Sequence, residues 1–329
     1  MPYTFGAGGG GGGAITNFPI TFNESTTWAC PVVMEAYVFV IGGGGGGAAL
    51  EGGSTGRVQG GCAGGCAVSK LTLAVQNYNV TVGPGGDYDS GVSPSLAGEE
   101  GDDSSFTGSG ITDMNGLGGD GGAVHASSDL SAITGGGANG GTLMNNTGGG
   151  QPAITLDNRC TSGACVGLWE NGRDGILGPE GVDGSGHMSE SLLQGNTSGD
   201  YGSQGGGWNS NVNWFIPPLN VQSATYERSP VGSPQQERGY IPAGATGHGK
   251  VQGYGPYASG GHDYYEYTMP GSPFSGGASC NSKYNYVYGG GTGLGGGGGG
   301  NYTRHASAAT GISGGGDGGV IIIPISLGS

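Results

Sequence analysis

The chain has 329 residues, 84 of them glycine and only 34% apolar, with 24 Asp and Glu against 9 Lys and Arg for a formal net charge of −15. Glycine at several times its ordinary share of about 7% excludes a conventional side-chain core as the sole source of stability, because no residue loses more backbone entropy on ordering. The acidity excludes nucleic acid as a partner, since phosphate contact needs Lys and Arg, and no run approaches the ~18 apolar residues of a spanning helix.

Residues 1–24 read as a glycine-rich arm with a run at 8–13; its opening, Met1-Pro-Tyr-Thr-Phe-Gly6, lacks the basic start and apolar stretch of a secretory leader. The first strand signal is Tyr37-Val-Phe-Val-Ile41, which ends in six consecutive glycines at 42–47. A glycine run has one regular low-strain form besides a strand, the polyproline-II helix with three residues per turn and no internal hydrogen bonds. Its donors and acceptors must pair with neighbouring chains. Several such helices can pack closely because no Cβ holds them apart. Next, Val68-Ser-Lys-Leu-Thr-Leu-Ala-Val75 and Tyr78-Asn-Val-Thr-Val82 alternate apolar and polar residues about a turn at Gln76-Asn77, and are expected to form a hairpin of half-buried strands.

From about residue 83 to 319 the chain reads as loops without helical periodicity, and an excursion of that length needs a packed form of its own. Within it, residues 172–184 place glycine at every third position, putting one glycine edge on a polyproline-II helix; a short collagen-like triplet run is the rival reading. Residues 208–288 collect aromatic rings and half of the prolines. Trp208, Trp214, Tyr254, Tyr257, Tyr264, Tyr265 and Tyr267 are the candidates for contact with a host surface, because loop aromatics offer rigid area suited to binding and sugar stacking. The competing role for these rings is to fill gaps beside bare glycine backbone. Val320-Ile-Ile-Ile-Pro-Ile325 is β-branched and should return to the N-terminal sheet, with Pro324 at an edge or strand end because it lacks a donor.

The whole reads as an all-β protein: a small antiparallel, jelly-roll-like sandwich from residues 25–125 and 310–329, with a glycine- and tyrosine-rich insertion at 126–309 packed as polyglycine helices and loops. Essentially no α-helix is expected.

Of the six cysteines, Cys62 with Cys66 and Cys160 with Cys165 form close pairs, open to disulfides or to buried thiols; Cys30 and Cys280 stand apart. The spacing fits a four-thiolate zinc site poorly. His125, His187, His248, His262 and His305 are scattered without a metal-binding spacing. Asp87 with Asp89, and Glu99, Glu100, Asp102 and Asp103, loosely resemble oxygen-rich calcium loops; no other cofactor is suggested. Gly244-Ala-Thr-Gly-His-Gly-Lys-Val251 lacks the hydroxyl of a P-loop, and the nucleophile-elbow patterns at 52–56 and 311–315 are what this much glycine produces by chance. No local pattern favours a pair of catalytic carboxylates. An enzyme is not expected.

Thr26-Thr-Trp-Ala-Cys-Pro31, the strand and glycine run that follow, Leu71-Thr-Leu-Ala-Val75, Tyr78-Asn-Val-Thr-Val-Gly-Pro-Gly-Gly86, Ser104-Ser-Phe-Thr-Gly108 and Gly314-Gly-Gly-Asp-Gly-Gly-Val-Ile-Ile-Ile323 together resemble the glycine-rich domain of bacteriophage tail fibres and related virion proteins. The resemblance covers residues 22–125 and 289–326; it departs at Gln76-Asn77, where the family has a Pro-Gly type turn, and has no counterpart for 126–288. It implies a structural protein on the surface of a virion, a tail or surface fibre contacting a host glycan or protein. The resemblance also implies other virion proteins as partners and a homo-oligomer such as a trimer, without membrane insertion. A non-adhesive capsid decoration or a self-assembling glycine-rich filament is the alternative.

Overall fold

A computed structural model describes residues 19–50, 56–87, 95–125, 128–154, 158–161, 163–169, 171–172, 174–175, 177–179, 280–282, 294–303 and 314–327. Among these residues there is no α-helix; the regular elements are strands joined by extended runs. In chain order the strands are β1 (Ile20–Phe22), β2 (Thr26–Ala29), β3 (Met34–Ile41), β4 (Ala49–Leu50), β5 (Arg57–Val58), β6 (Cys66–Leu73), β7 (Asn77–Thr81), β8 (Ser95–Leu96) and β9 (Ser104–Thr107). Then follow β10 (Met114–Gly116), β11 (Val124–His125), β12 (Ala138–Asn139), β13 (Met144–Asn146), β14 (Asn158–Thr161), β15 (Leu177–Pro179), β16 (Cys280–Ser282), β17 (Asn301–Thr303) and β18 (Gly319–Leu327).

Two five-stranded antiparallel sheets, ordered β1-β18-β3-β6-β13 and β12-β10-β9-β7-β2, form a sandwich. Alternation along β3 sends Met34, Ala36, Val38 and Val40 into the space between the sheets. They meet Leu73, Val320 and Ile322 of their own sheet and Tyr78, Val80, Phe106 and Met114 of the other. The Tyr78 and Phe106 rings stack at 5.1 Å, and the Tyr78 hydroxyl accepts the Ala74 N–H at 2.9 Å, so the buried ring keeps its polar atom paired.

The opposite face of the first sheet is covered as well. Phe39, Ile41, Val68, Ile321 and Ile323 pack beneath Ala164, Cys165, Val166 and Leu168. Trp169 stands edge-on to Tyr37 and Phe39 at 5.6 and 5.2 Å. Burial on both faces explains why β3 and β18 carry nearly continuous apolar runs.

The expected hairpin does not form. β6 pairs with β3 and β13, whereas β7 pairs with β2 and β9, so residues 74–76 carry the chain from one sheet to the other. Both strands face one core from opposite sides, and their alternation is the same as in a hairpin. Pro324 lies where β1 has already ended, beside a register shift between Pro324 and Ser326, so its missing donor costs no ladder bond.

Beyond the sandwich, glycine-rich runs travel to a second set of short strands. Residues 42–48 lead from β3 to β4, 59–65 from β5 back to β6, 98–103 from β8 back to β9, and 117–123 from β10 out to β11. At about 3.1 Å per residue, a six-residue run spans ~19 Å. The far end holds two four-stranded sheets, β11-β5-β14-β15 and β16-β17-β4-β8, each with parallel pairs. The described parts of the segment 126–309 are woven through this plan: β12 and β13 are edges of the two sandwich sheets, and 163–168 and 294–300 run alongside the other glycine segments.

Candidate functional site: the glycine bundle and its far end

Residues 42–47 form the centre of the bundle, and their bonds repeat with a period of three. Gly42 and Gly45 donate to the carbonyls of Gly65 and Cys62, Gly43 and Gly46 to Asp102 and Glu99, and Gly44 to Gly316, all at 2.8–3.0 Å. The carbonyls of Gly43 and Gly46 accept from Gly119 and Gly122, that of Gly44 from Gly86 and that of Gly45 from Gly298. One glycine helix is therefore surrounded by the segments around 62, 86, 101, 120, 297 and 316. This is the arrangement open to packed polyglycine, in which each third of a turn faces a different neighbour.

The absence of side chains is obligatory. A Cβ on Gly42 or Gly45 would lie 2.1 Å from the carbonyl oxygen of Leu117 or Asp120, and one on Gly44 or Gly47 2.0 Å from that of Gly296 or Gly299. Residues 59–65 are surrounded in the same way. Gln59, Cys62 and Gly65 donate to Ala123, Asp120 and Leu117, Gly61 and Gly64 to Gly298 and Gly295, and Ala63 to Gly149. Neighbours run both parallel and antiparallel, as 119 to 43 with 122 to 46, against 42 to 65 with 45 to 62, show.

At the bundle's rim, side chains replace backbone partners. Gly85 N–H donates to Asp317 Oδ1 at 2.9 Å, Gly118 to Asp103 Oδ1 at 2.8 Å, Gly150 to Asp174 Oδ1 at 2.8 Å and Thr147 to Asn171 Oδ1 at 3.0 Å. The last two acceptors are Asp174 of the triplet segment and Asn171, the residue just before it. Gly172 and Gly175 turn inward and donate to Thr147 and Gly150, while Asn171 and Asp174 are exposed on its outer side. Thus the inward glycine edge expected at every third residue holds for these two positions. A row of capping acceptors beside it was not anticipated; its signal is an Asp or Asn set among glycines at spacing three.

Where the interior helices approach the far sheets, a buried polar group takes over. Gln59 donates from Nε2 to the carbonyls of Ser131 and Pro152 at 2.8 and 3.0 Å, Gly60 N–H donates to Thr161 Oγ1 at 2.8 Å, and Gln151 Nε2 donates to the Gly61 carbonyl at 2.7 Å. Arg57, almost fully buried, reaches the Ser128 carbonyl at 3.1 Å and the Asp129 carboxylate at 3.7 Å.

Cys30, Cys62 and Cys66 are buried free thiols, and Cys165 is buried too. Burial, assisted by the charges of Asp120 and Asp174, pushes the Cys62 thiol up to about 12, and burial alone raises Cys66. Neither is an activated nucleophile, which would need a lowered value. The backbones of Cys160 and Cys280 lie in β14 and β16. Asp87, Glu99, Glu100, Asp102 and Asp103 are exposed on bundle segments and their carbonyls or carboxylates serve the bundle, as at Glu99, Asp102 and Asp103; no group of three or more His, Cys, Asp or Glu among the described residues could hold a metal. Asp89, and the candidate contact residues Trp208, Trp214, Tyr254, Tyr257, Tyr264, Tyr265 and Tyr267, lie outside the described residues.

The molecule is thus an all-β protein whose sandwich is joined to a polyglycine bundle. The model of the glycine-rich domain family matches residues 20–327, and the chain belongs to that family. Among curated proteins, none matches the chain.

Proposed function

We propose that the chain is a virion structural protein, the outward element of a tail or surface fibre, anchored through its sandwich to other virion proteins and contacting a host surface with its far end. One arrangement carries this reading. The long segment 180–279, which contains the candidate aromatics, leaves from β15 and returns at β16, both in far-end sheets. The same end receives the connections 51–55 between β4 and β5 and 88–94 before β8. A rigid scaffold that gathers variable-length connections at one end is the usual way to position binding residues. The bundle supports this reading by its rigidity, since the backbone donors of its central run are each paired with another segment.

The test compares the whole chain with a variant in which 181–279 is replaced by a short Gly-Ser linker, each labelled and added to cells of the propagating host. Saturable binding by the whole chain and loss in the variant is the expected result. Equal binding by both, or none by either, sinks the proposal. The capped rim of the bundle weighs against the filament alternative, because a filament growing by lateral polyglycine pairing needs open donors there.

A further inference from the structure

An Asn followed by Gly is prone to lose its side-chain amide, because the next residue's nitrogen attacks the Asn Cγ and glycine sets no Cβ in its way. The chain contains Asn115-Gly116, Asn139-Gly140 and Asn171-Gly172, and all three pairs lie among the described residues. The fold holds back two of the three nitrogens. Gly172 N–H donates to the Thr147 carbonyl at 2.8 Å. Leu117 N–H donates to the Gly137 carbonyl, so the bonded pairs of β10 with β12 fall at 117 with 137 and at 115 with 139. Gly116 therefore faces β9, where it is buried and pairs with Ser104 inside the sheet. The same phase turns Gly140 N–H away from β10, toward the free edge of the sheet, and it donates to no described residue.

The carbonyl under attack is prepared as well. Asn139 is exposed to water, and its Oδ1 accepts from Asn115 Nδ2 at 2.8 Å. Attack at Cγ moves charge onto Oδ1, so this donor stabilises the developing oxyanion. Gly140, at φ 77°, begins the turn out of β12 and can rotate its nitrogen toward Cγ without giving up a ladder bond. Asn171 Oδ1 also accepts a bond, from Thr147, but there the Thr147 carbonyl holds the nucleophile. Only at 139 do an exposed amide, a polarised carbonyl and a nitrogen without a described partner coincide.

We propose that Asn139 is a site of self-modification by deamidation, independent of the contact proposed above. Gly140 N bonds to Asn139 Cγ as the Cγ–Nδ2 bond breaks; the nitrogen's proton passes to solvent, and Nδ2 leaves as ammonia. Water then opens the cyclic imide at either carbonyl, giving aspartate or isoaspartate. Both products add a negative charge, and isoaspartate also displaces the carbonyl that pairs with Asn115, loosening β12. The change falls where the second sheet meets the bundle, since Gly136 N–H and the Gly137 carbonyl pair with Ala63 and Leu117.

The test holds the whole chain folded in mildly alkaline buffer, maps its peptides by mass over time and assays isoaspartate by enzymatic methylation. Asn139 should convert at least roughly tenfold faster than Asn115 or Asn171, whose attacking nitrogens must first give up a backbone bond. In denaturant, where no fold separates them, the three should react at similar rates. Asn115→Val keeps a strand-favouring residue and removes the donor to Oδ1; it should slow conversion at Asn139 roughly threefold to tenfold, an exposed donor being worth less than a buried one. Conversion at Asn115 or Asn171 as fast as at Asn139, an intact Asn139 over a period in which the denatured chain converts, or Asn115→Val reacting as fast as wild type would each overturn the proposal.

Discussion

Replacing Gly44 by Ala, with Gly137→Ala as its counterpart, tests whether the central run is held by backbone packing. A Cβ on Gly44 would stand 2.0 Å from the Gly296 carbonyl oxygen and 2.4 Å from its carbon. Real contacts start near 3.0 Å, so the segment around 296 must move by about an ångström. That segment also donates from Gly298 to the Gly45 carbonyl and accepts from Gly316, both at 2.8 Å, and the shift strains both bonds. Overpacking costs about 1–3 kcal/mol and each weakened bond up to about 1 kcal/mol, against a gain of ~0.4–1 kcal/mol from stiffening the unfolded chain. The net expectation is a loss of about 3 kcal/mol, or roughly 4 °C in Tm for a chain of this length. A Cβ on Gly137 meets only the Leu117 Cδ1, at 3.6 Å, and should leave stability unchanged or raise it by up to ~1 kcal/mol. Urea midpoints and thermal melts of both variants read the difference. If Gly44→Ala melts with wild type, or falls no further than Gly137→Ala, close polyglycine packing is wrong.

Asp317→Ala removes the acceptor of the Gly85 N–H; amide exchange at Gly85 should accelerate and stability fall by up to about 1 kcal/mol, whereas Asp317→Asn, which keeps an acceptor, should behave as wild type. Cys62 should resist alkylation in the folded chain at mildly alkaline pH and react only on unfolding. Its value is raised in the folded state from the ordinary 9.0 to about 12, so the stability it contributes is complete below pH 9 and is lost as pH rises from 9 toward 12. Denaturant midpoints across that window should decline less steeply in Cys62→Ala than in wild type, and identical slopes would contradict the burial argument.

The parts of the fold legible in the sequence are those whose side chains do the packing. The β-branched and aromatic run from Tyr37 to Ile41 and the Ile321 to Ile323 run announce strands because they must be buried on two faces. The glycine run at 42–47 announces its form by exclusion, since bare backbone without a Cβ has few ways to pair. Elements such as Arg57–Val58 and Ala49–Leu50 give no such signal. Two residues are too short to show alternation, and their partners are up to hundreds of positions away, as Leu50 with Tyr302 shows. The misread hairpin has a similar cause: periodicity reports which side of a strand is buried, and β6 and β7 bury theirs against each other from opposite sheets. Which neighbour a glycine helix selects is invisible for a related reason, because one peptide group is chemically like the next.

That indifference creates a problem the acidic residues address. A bundle joined through backbone groups presents at its rim the same donors and acceptors that hold its centre, and any glycine-rich chain could add there, as strands add to an open sheet edge. In the centre every donor of residues 42–46 is taken by another segment. At the rim, Gly85, Gly118 and Gly150 instead find the carboxylates of Asp317, Asp103 and Asp174. A carboxylate accepts the bond and adds a charge that repels a second copy carrying the same caps. Asp serves both needs with one short side chain. Glycine excess and acid excess are then two consequences of one packing scheme: the positions of the central 42–47 run exclude every Cβ, and some of the outward positions supply the acceptors that end the lattice.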